Sequence, residues 1–238
     1  MFHPKGPSFC DLAIQSLSST ERGYDLLAPK FDYTPFRTPE AVLRAAASSI
    51  GNISSALDLC CGTGAAMRML RPLCSRMVVG IDRSRGMVAE ARRRLEEDPG
   101  TAPLHLVRGD AFALPFGEAF DVVTCFGALG HILPRDHGRF VRSIRRVLHP
   151  GGRFIFAAST LPPRWSRNYW ILHGFDLAMK FRNAFLHPAF HMYYVNFLLP
   201  DALALLEREG YSIDSCEPIV PRADDTLHLV IATKCGEK

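Results

Sequence analysis

The residues best suited to do chemistry form a short glycine turn, residues 58–64, which reads Asp-Leu-Cys-Cys-Gly-Thr-Gly. The turn lies between an apolar run typical of a buried strand and a helical pattern. Glycines at such a junction let the backbone approach a ligand, and the amide groups of the turn point outward. The turn therefore predicts a binding site for a nucleoside cofactor.

Met67 distinguishes this turn from the turn that binds nicotinamide cofactors. The nicotinamide version requires G-x-G-x-x-G, and its third glycine packs the helix against the strand. Gly62 and Gly64 supply the first two glycines, but Met67 stands at the third position. This departure weighs against a dehydrogenase.

Two further aspartates, Asp82 and Asp110, end the next two apolar runs. Asp82 would lie at the carboxyl edge of a parallel sheet, where its carboxylate can accept hydrogen bonds from both hydroxyls of a ribose. Its alternative interpretation is a helix cap, but Ser84 already suits that role. An ordinary turn aspartate is the alternative for Asp110. The two carboxylates extend the predicted cofactor site beyond the glycine turn.

The elements that position these residues are short apolar runs alternating with helical patterns, which is typical of βαβ units and a parallel sheet. Strands are predicted at residues 56–60, 77–81, 104–108, 120–126 and 153–158. Ser84 begins a helix, and a second helix ends at the turn His149-Pro150-Gly151-Gly152. After a break of about forty residues, a helix at 201–209 and an antiparallel hairpin at 211–217 and 226–232 complete the chain.

In combination, these motifs resemble class I S-adenosylmethionine-dependent methyltransferases, whose first motif runs acidic-x-Gly-x-Gly-x-Gly. Asp58, Gly62 and Gly64 match that motif, and Cys60 replaces its first glycine. The resemblance covers roughly residues 24 to 158. It implies an α/β, Rossmann-like fold with a seven-stranded, mostly parallel sheet and helices on both faces. It also implies S-adenosylmethionine as the cofactor.

The resemblance assigns further residues to the cofactor. In the family, the aspartate matched by Asp110 accepts from the adenine amino group, and the amide that follows, here that of Ala111, meets the ring. The segment from Tyr24 to Tyr33 is similar to the lead-in of ubiquinone and menaquinone C-methyltransferases, whose aromatic side chains cover the methionine end of the cofactor. Packing of an N-terminal helix is the alternative for these aromatics. The other residues predicted to contact the cofactor are Cys60, Thr63, Arg83, Met87 and Phe126.

Candidate catalytic residues are fewer, because methyl transfer mainly requires alignment of donor and nucleophile and exclusion of water. A general base helps an oxygen or carbon nucleophile. His131 follows the exit of the fourth strand and is the best candidate for this base. His191 and Tyr194 are the other candidates, since they could orient a substrate hydroxyl. Ordinary packing is the alternative for each of them.

Residues 159–200 hold ten of the 24 aromatic residues of the chain. This density predicts an aromatic-rich cap that, together with residues 1–45, covers the site and lines a pocket for a small, largely apolar or aromatic acceptor. Six residues approximate one helical face: Trp170, Ile171, Phe175, Ala178, Phe181 and Phe185. We favour packing of this face on the core over contact with a hydrophobic substrate or a peripheral membrane contact.

Composition excludes several other classes. A net charge of +4, without a long basic run, argues against a nucleic-acid partner. Seven cysteines without a CxxC pair predict reduced thiols and no metal site, and the absence of an export signal or of a transmembrane run predicts a cytoplasmic protein. We expect one domain, with its cofactor-binding core at residues 46–158 and a C-terminal part at 201–238. An RNA methyltransferase or a non-catalytic cofactor-binding protein is the alternative function. The acceptor atom and the oligomeric state stay open.

Overall fold

Seven strands form one sheet in the computed structural model, which describes residues 3–96, 98, 100–219 and 227–236. The strands are β1 (Ile53–Leu59), β2 (Cys74–Asp82), β3 (Leu104–Arg108), β4 (Phe120–Cys125), β5 (Leu148–Ser159), β6 (Tyr211–Pro218) and β7 (Leu227–Lys234). Their order is β3-β2-β1-β4-β5-β7-β6, and only β7 runs antiparallel to its neighbours. This is the predicted Rossmann-like, mostly parallel sheet.

Eight α-helices cover the sheet and its carboxyl edge within the described ranges. They are α1 (Phe9–Leu17), α2 (Thr20–Leu27), α3 (Glu40–Ile50), α4 (Ala65–Leu70), α5 (Arg85–Leu95), α6 (His137–Val147), α7 (Arg167–Phe185) and α8 (Leu199–Arg208). Serine side chains cap four of them, because a serine oxygen accepts from a free amide of the first turn: Ser8, Ser19, Ser84 and Ser166. Short 3₁₀ helices follow at Ala28–Tyr33 and Leu129–His131.

The apolar side chains of the sheet separate into two buried clusters. One contains the fully buried rings of Phe120, Phe140, Phe154 and Phe156. The other contains side chains from α3, α4 and α5 together with the alternate residues of the central strands, such as Val78 and Ile155. Because both faces are covered, the central strands are apolar on both sides, as parallel strands in this fold class are.

Met67 and Gly80 show how the chain compensates for the missing third glycine of the turn. Met67 lies on α4 and is fully buried against β2. A Cβ atom at Gly80 would lie only 2.2 Å from the Met67 sulfur. The space that a glycine on the helix would leave is therefore provided by a glycine on the strand.

Most predicted elements are confirmed, with shifted ends. The predicted bounds of β3 agree with the structure, and Ser84 caps α5 as predicted. The predicted end of the helix before residue 149 is confirmed, since α6 ends at Val147. The predicted start of β5 at Arg153 is wrong: β5 already begins at Leu148, and its pairing with β4 shifts register between Phe120–Leu148 and Val122–Arg153. The C-terminal hairpin is confirmed as β6 and β7, although Thr226, its predicted start, lies outside the described residues.

The favoured interpretation of residues 159–200 is wrong for α7. Most of the apolar face that we expected to pack on the core, including Trp170, Phe181 and Phe185, is exposed, and only Asp176 and Met179 are buried among the residues of the helix. The physical reason is that the two clusters already cover the sheet, so α7 contacts the rest of the protein along one narrow side. Despite its apolar face, α7 does not qualify as a bilayer-spanning helix, and neither does any other helix in the described ranges.

Candidate functional site

The candidate site lies at the carboxyl ends of β1 to β4. β1 pairs with β2 on one side and with β4 on the other, so the strand order reverses between β1 and β4. The loops that leave the strands at this point diverge and leave a crevice, which is where ligands bind in open α/β sheets. The loops after β1, β2, β3 and β4 carry most of the residues that the sequence singles out.

The glycine turn after β1 requires left-handed backbone at three positions. Cys60, Gly62 and Gly64 have φ of 54°, 52° and 87°. Cys60 replaces a glycine of the family motif, and its positive φ explains why glycine suits that position, since a side chain there costs about 1 kcal/mol. The turn is closed by a hydrogen bond from the Gly64 amide to the Cys61 carbonyl.

Asp82 joins the end of β2 to the glycine turn. One carboxylate oxygen accepts from the Gly62 amide at 2.9 Å, and the other accepts from the Ser84 amide at 2.9 Å. Burial raises the pKa of Asp82 above its ordinary value, although these amides act in the opposite direction. Each oxygen keeps a second acceptor position, so the carboxylate can still bind ligand hydroxyls.

Asp25 and Asp32 hold the N-terminal segment against the site, and sequence reasoning missed both. Asp25 accepts from the Ser84 hydroxyl at 2.6 Å and from the Gly86 amide at 2.8 Å. Asp32 accepts from the Thr63 hydroxyl at 2.6 Å and pairs with Arg94 at 2.6 Å. A signal was present, because each aspartate directly follows an aromatic residue of the lead-in segment, Tyr24 or Phe31.

Asp58 lies beneath the turn rather than at its surface. Its side chain is buried on β1 and accepts from the Thr124 hydroxyl on β4 at 2.8 Å. Burial raises the pKa of the Asp58 carboxyl to about 7, and the Asp82 carboxylate adds to the effect. Asp58 is the first residue of the motif in the sequence, and in the structure its side chain lies beneath the turn.

The stability of the parent protein should fall as the pH rises, and we expect a much smaller fall for the Asp58→Asn variant. The carboxyl binds its proton more tightly in the folded protein than in the unfolded chain. Folding is therefore favoured below the ordinary pKa of about 4 and loses this contribution as the pH rises toward about 7. At pH 8 the variant should be more stable than the parent by about 2–4 kcal/mol relative to the difference at pH 4. Urea unfolding at both pH values measures this.

Thr124→Val is the matched variant for this experiment. In the parent protein, the Thr124 hydroxyl donates to Asp58 and thereby lowers the pKa of the Asp58 carboxyl. The variant removes this hydroxyl. Replacing the buried hydroxyl lowers stability by the same amount at every pH, whereas the fall in stability with rising pH should be larger in this variant than in the parent. Equal pH dependence in the parent and in Asp58→Asn would show that the Asp58 carboxyl titrates normally.

The loop after β3 positions Asp110 and Ala111. One Asp110 oxygen accepts from the Phe112 amide at 2.9 Å, which is an Asx turn, and the Ala111 carbonyl accepts from the Ser143 hydroxyl at 2.8 Å. The Ala111 amide is not used by these contacts. The Asx turn is the contact that the alternative interpretation of Asp110 expects, and the loop still keeps a carboxylate oxygen and an amide for a ligand.

The remaining predicted cofactor residues fall into two groups. Met87 is buried at the start of α5, and Phe126 is buried at the exit of β4. Arg83 is exposed and pairs with Glu21 of α2 at 3.3 Å, so it contacts the N-terminal segment rather than the turn. Tyr33 stacks on His3 with ring centroids 4.7 Å apart. The structure does not bring Arg83 and Tyr33 together with the other site residues.

Three aromatic rings form a cluster that begins over the glycine turn and reaches the segment after β4. A Cβ atom at Gly62 would lie 4.0 Å from the Phe31 ring. Tyr24 meets Phe31 edge to face at 6.0 Å and stacks on Phe190 at 6.3 Å. Phe190 comes from the segment after α7, so both predicted cap segments contribute to this aromatic cluster.

His131 forms a hydrogen-bonded pair with Tyr24 next to this cluster. His131 Nε2 lies 2.8 Å from the Tyr24 hydroxyl, and His131 Nδ1 faces the His191 carbonyl. A carbonyl can only accept, so Nδ1 carries the proton and Nε2 accepts from Tyr24. Burial lowers the pKa of His131 and raises that of Tyr24. Both groups are thus held neutral, with the histidine ready to take a proton.

His191 and Tyr194 contribute in different ways from those expected. His191 reaches His131 through its backbone carbonyl, while its own Nδ1 is buried without a hydrogen-bond partner among the described residues. Tyr194 is exposed and packs against Phe175, with ring centroids 4.9 Å apart. The buried Asp176 carboxylate fixes the loop by accepting from the amides of Tyr194 and Val195 at 2.7 and 2.9 Å.

This arrangement fits a nucleoside cofactor. The left-handed turn exposes backbone where Gly62 has no side chain, and the Asp82 and Asp110 carboxylates lie at the ends of the two strands that follow along the sheet. The chemistry of the donor set, acidic oxygens and amides without a basic cluster, suits ribose and adenine better than additional phosphates.

Comparison with known proteins shows that this chain is similar to methyltransferases. Residues 56–152 match the family described as a methyltransferase domain. The demethylmenaquinone methyltransferase of Beutenbergia cavernae is 38% identical over 122 residues, which are 51% of this chain and 46% of that protein. The 2-phytyl-1,4-naphtoquinone methyltransferase of Thermosynechococcus vestitus is 28% identical over 172 residues, 66% of this chain and 72% of that protein. The chain spans about half the length of the demethylmenaquinone methyltransferases that it matches.

A solved structure extends the similarity to nearly the whole chain. The complex of DhpI with SAH superposes with a TM-score of 0.65, covers 97% of this chain and 100% of its own, and is 21% identical. At that identity the likeness concerns the fold alone. It extends beyond the matched residues 56–152 on both sides.

Proposed function

We propose that this chain is a class I S-adenosylmethionine-dependent methyltransferase and that it methylates a small hydroxylated aromatic molecule. The observation that carries the proposal is the hydrogen bond between Tyr24 and His131 beside the aromatic cluster. It provides a neutral base next to apolar rings, at the edge of the sheet that carries the cofactor motifs. The relatives named for demethylmenaquinone and 2-phytyl-1,4-naphtoquinone support an acceptor of this class.

The residues that would hold the cofactor are those of the glycine turn and the two strand-end aspartates. Gly62 leaves the backbone accessible, and Gly64 lets the turn pack closely on Leu95 of α5. Asp82 would accept from the ribose hydroxyls, and Asp110 would accept from adenine. When bound, S-adenosylmethionine supplies an electrophilic methyl group on a positively charged sulfur. Phe31 and Tyr24 would exclude water from this end of the site, because the Phe31 ring lies over the turn and the Tyr24 ring packs against Phe31.

The Tyr24–His131 pair would remove the proton of the acceptor. The proton of a substrate hydroxyl would transfer to the Tyr24 oxygen while the Tyr24 O–H proton moves to His131 Nε2. The resulting imidazolium keeps its Nδ1–H on the His191 carbonyl. The electron pair released on the acceptor makes its oxygen, and the ring carbons conjugated with it, nucleophilic. The same pair therefore serves O- and C-methylation.

Residues 1–45 and 159–200 are proposed to form the cap that surrounds the acceptor. The cluster of Tyr24, Phe31 and Phe190, which draws on both segments, supports this. All seven cysteines carry free thiols, which supports a reducing, cytoplasmic location.

The proposal is tested by turnover of S-adenosylmethionine labelled in its methyl group. We expect label transfer to an alkylated 1,4-dihydroxynaphthalene kept reduced with dithiothreitol. The control compound is the same alkylated naphthalene without hydroxyl groups. It has no hydroxyl proton for Tyr24 to accept, so it should remain unlabelled. Total RNA serves as the acceptor for the alternative enzyme class.

Label in RNA but not in the dihydroxynaphthalene would replace the proposed acceptor class with nucleic acid. Binding of the cofactor without turnover on any hydroxylated aromatic would favour a non-catalytic protein. Because the naphthalene without hydroxyls matches the acceptor in shape, its result separates binding of a ring from activation of a hydroxyl.

A further inference from the structure

We propose that the outward side of α7 is a docking surface for a membrane that contains anionic lipids. This α7 surface consists of five residues of the helix and one that precedes it: Trp170, Ile171, Leu177, Phe181 and Phe185, together with Trp165. It goes beyond the proposed activity, and its test requires no methyl transfer.

The α7 surface is an extended apolar area that the protein itself leaves uncovered. Trp165 and Trp170 are 88% and 67% exposed, and Leu177 and Phe181 are 69% and 66% exposed. At 3.6 residues per turn, Trp170, Leu177 and Phe181 lie on one side of the helix. Contiguous exposed apolar patches of this kind mark interaction sites in proteins that fold as monomers.

The other side of α7 is already used for packing. Met179 and Asp176 are buried, and Phe175 packs against Tyr194. A helix that is apolar on both sides is expected to be buried on both sides. Here only the inner side is covered, so the outer side lacks the apolar partner that its composition requires.

The charges around the α7 surface indicate the chemistry of that partner. Arg164, Arg167 and Lys180 are exposed, whereas the one acidic residue between 159 and 200, Asp176, is buried and occupied by backbone amides. An apolar surface flanked by exposed cations, without exposed carboxylates in the segment, is complementary to acyl chains beneath anionic headgroups. Tryptophan rings suit the boundary between these two layers.

A second copy of this chain is a poorer partner for the α7 surface. In a symmetric dimer the same patch meets itself. Lys180 and the two exposed arginines would then approach their own copies, with no exposed acid from this segment to offset the repulsion. Charge complementarity therefore favours the lipid surface.

The apolar surface continues onto α1. The Arg182 guanidinium donates to the Ser18 carbonyl at 3.2 Å and so joins the end of α7 to the end of α1. Leu17, which precedes Ser18, and Phe9 are 60% and 80% exposed. The contact with the bilayer would thus involve both segments that also contribute to the aromatic cluster.

The test uses the intrinsic fluorescence of the protein, because both tryptophans of the chain lie in the α7 surface. The full chain is mixed with vesicles of phosphatidylcholine and phosphatidylglycerol, or with vesicles of phosphatidylcholine alone. We expect a blue shift and co-sedimentation with the anionic vesicles, and much weaker effects with the neutral ones. No shift with anionic vesicles, or an equal shift with both kinds, overturns the proposal.

Two variants locate the contact. Lys180→Glu should lower the partition onto anionic vesicles about 10- to 30-fold, and the double variant Leu177→Gln/Phe181→Gln at least about tenfold. Arg44→Glu is the matched control, since Arg44 is an exposed cation on α3 and should leave partition unchanged. Because all four positions are exposed, circular dichroism should show intact folds. A shift that grows with protein concentration without lipid, together with dimers in sedimentation velocity, would assign the surface to a second copy instead.

Discussion

The His131→Asn variant should lose turnover by about two to four orders of magnitude, the usual contribution of a positioned general base. An asparagine amide can still donate to the His191 carbonyl, so the loop contact that His131 makes is retained. The group that accepts the proton at Nε2 is lost. Cofactor affinity, measured by calorimetry, should stay within about a factor of two of the parent, because the loss concerns the rate step alone.

Tyr24→Phe provides the second arm of this experiment. It removes the hydroxyl that donates to His131 and retains the ring that contacts Phe31 and Phe190. If the two residues act as one relay, the double variant should be no slower than the slower single variant. Multiplicative losses would show that they act separately, and full turnover of either single variant would contradict the relay.

The pH profile supplies an independent measurement of the same group. His131 must be neutral to accept a proton, and burial lowers its pKa. The acid limb of kcat should therefore lie below pH 6.5, the ordinary pKa of histidine being about that value. His137→Asn is the control, since His137 contacts the Ile132 carbonyl outside the aromatic cluster and its loss should leave the profile unchanged.

Asp82→Ala should weaken binding of S-adenosylmethionine by about 1.5–3 kcal/mol, or roughly 10- to 150-fold, because it removes hydrogen bonds to a charged group. The parent affinity is expected in the micromolar range, about −8 kcal/mol. Isothermal calorimetry measures both. The loss has a second cause, since the Gly62 and Ser84 amides lose their acceptor and the turn becomes less ordered.

Asp121→Ala separates these two causes. Asp121 also accepts from two backbone amides, those of Ser54 and Ser55 at 2.9 and 2.8 Å, but at the opposite edge of the sheet. The Asp121→Ala variant should therefore lose about as much stability as Asp82→Ala and keep the cofactor affinity of the parent. Unchanged affinity in Asp82→Ala would remove Asp82 from the site, and tight binding of NADH by the parent would favour a dehydrogenase.

The sequence predicts well what depends on neighbouring residues. The strand β3, the cap at Ser84 and the carboxylate at the end of β2 follow from apolar periodicity and from the spacing of capping residues. The parallel sheet follows from the alternation of such elements. Because the carboxyl ends of these strands meet at one edge, the order of the motifs was sufficient to locate the candidate site.

Features that depend on distant contacts could not be predicted in the same way. Asp25 meets Ser84, and Asp32 meets Thr63, only after the N-terminal segment folds over the turn. The apolar periodicity of α7 predicts a helix, but it does not indicate which side of that helix packs against the rest of the protein. For Asp58, the motif indicates a carboxylate near the cofactor, but its burial beneath the turn depends on the contact with Thr124 from β4.

The contact between Met67 and Gly80 has a consequence for how such chains vary during evolution. The close approach of α4 and β2 needs one residue without a side chain, and the two facing positions can supply it from either side. A glycine acquired on the helix would remove the tightest contact at position 80 and leave the Cys61 sulfur 3.0 Å from a Cβ there, whereas a side chain acquired first at position 80 would collide with the methionine. Positions 67 and 80 should therefore covary among relatives, and the third glycine of the motif is a property of this pair of positions.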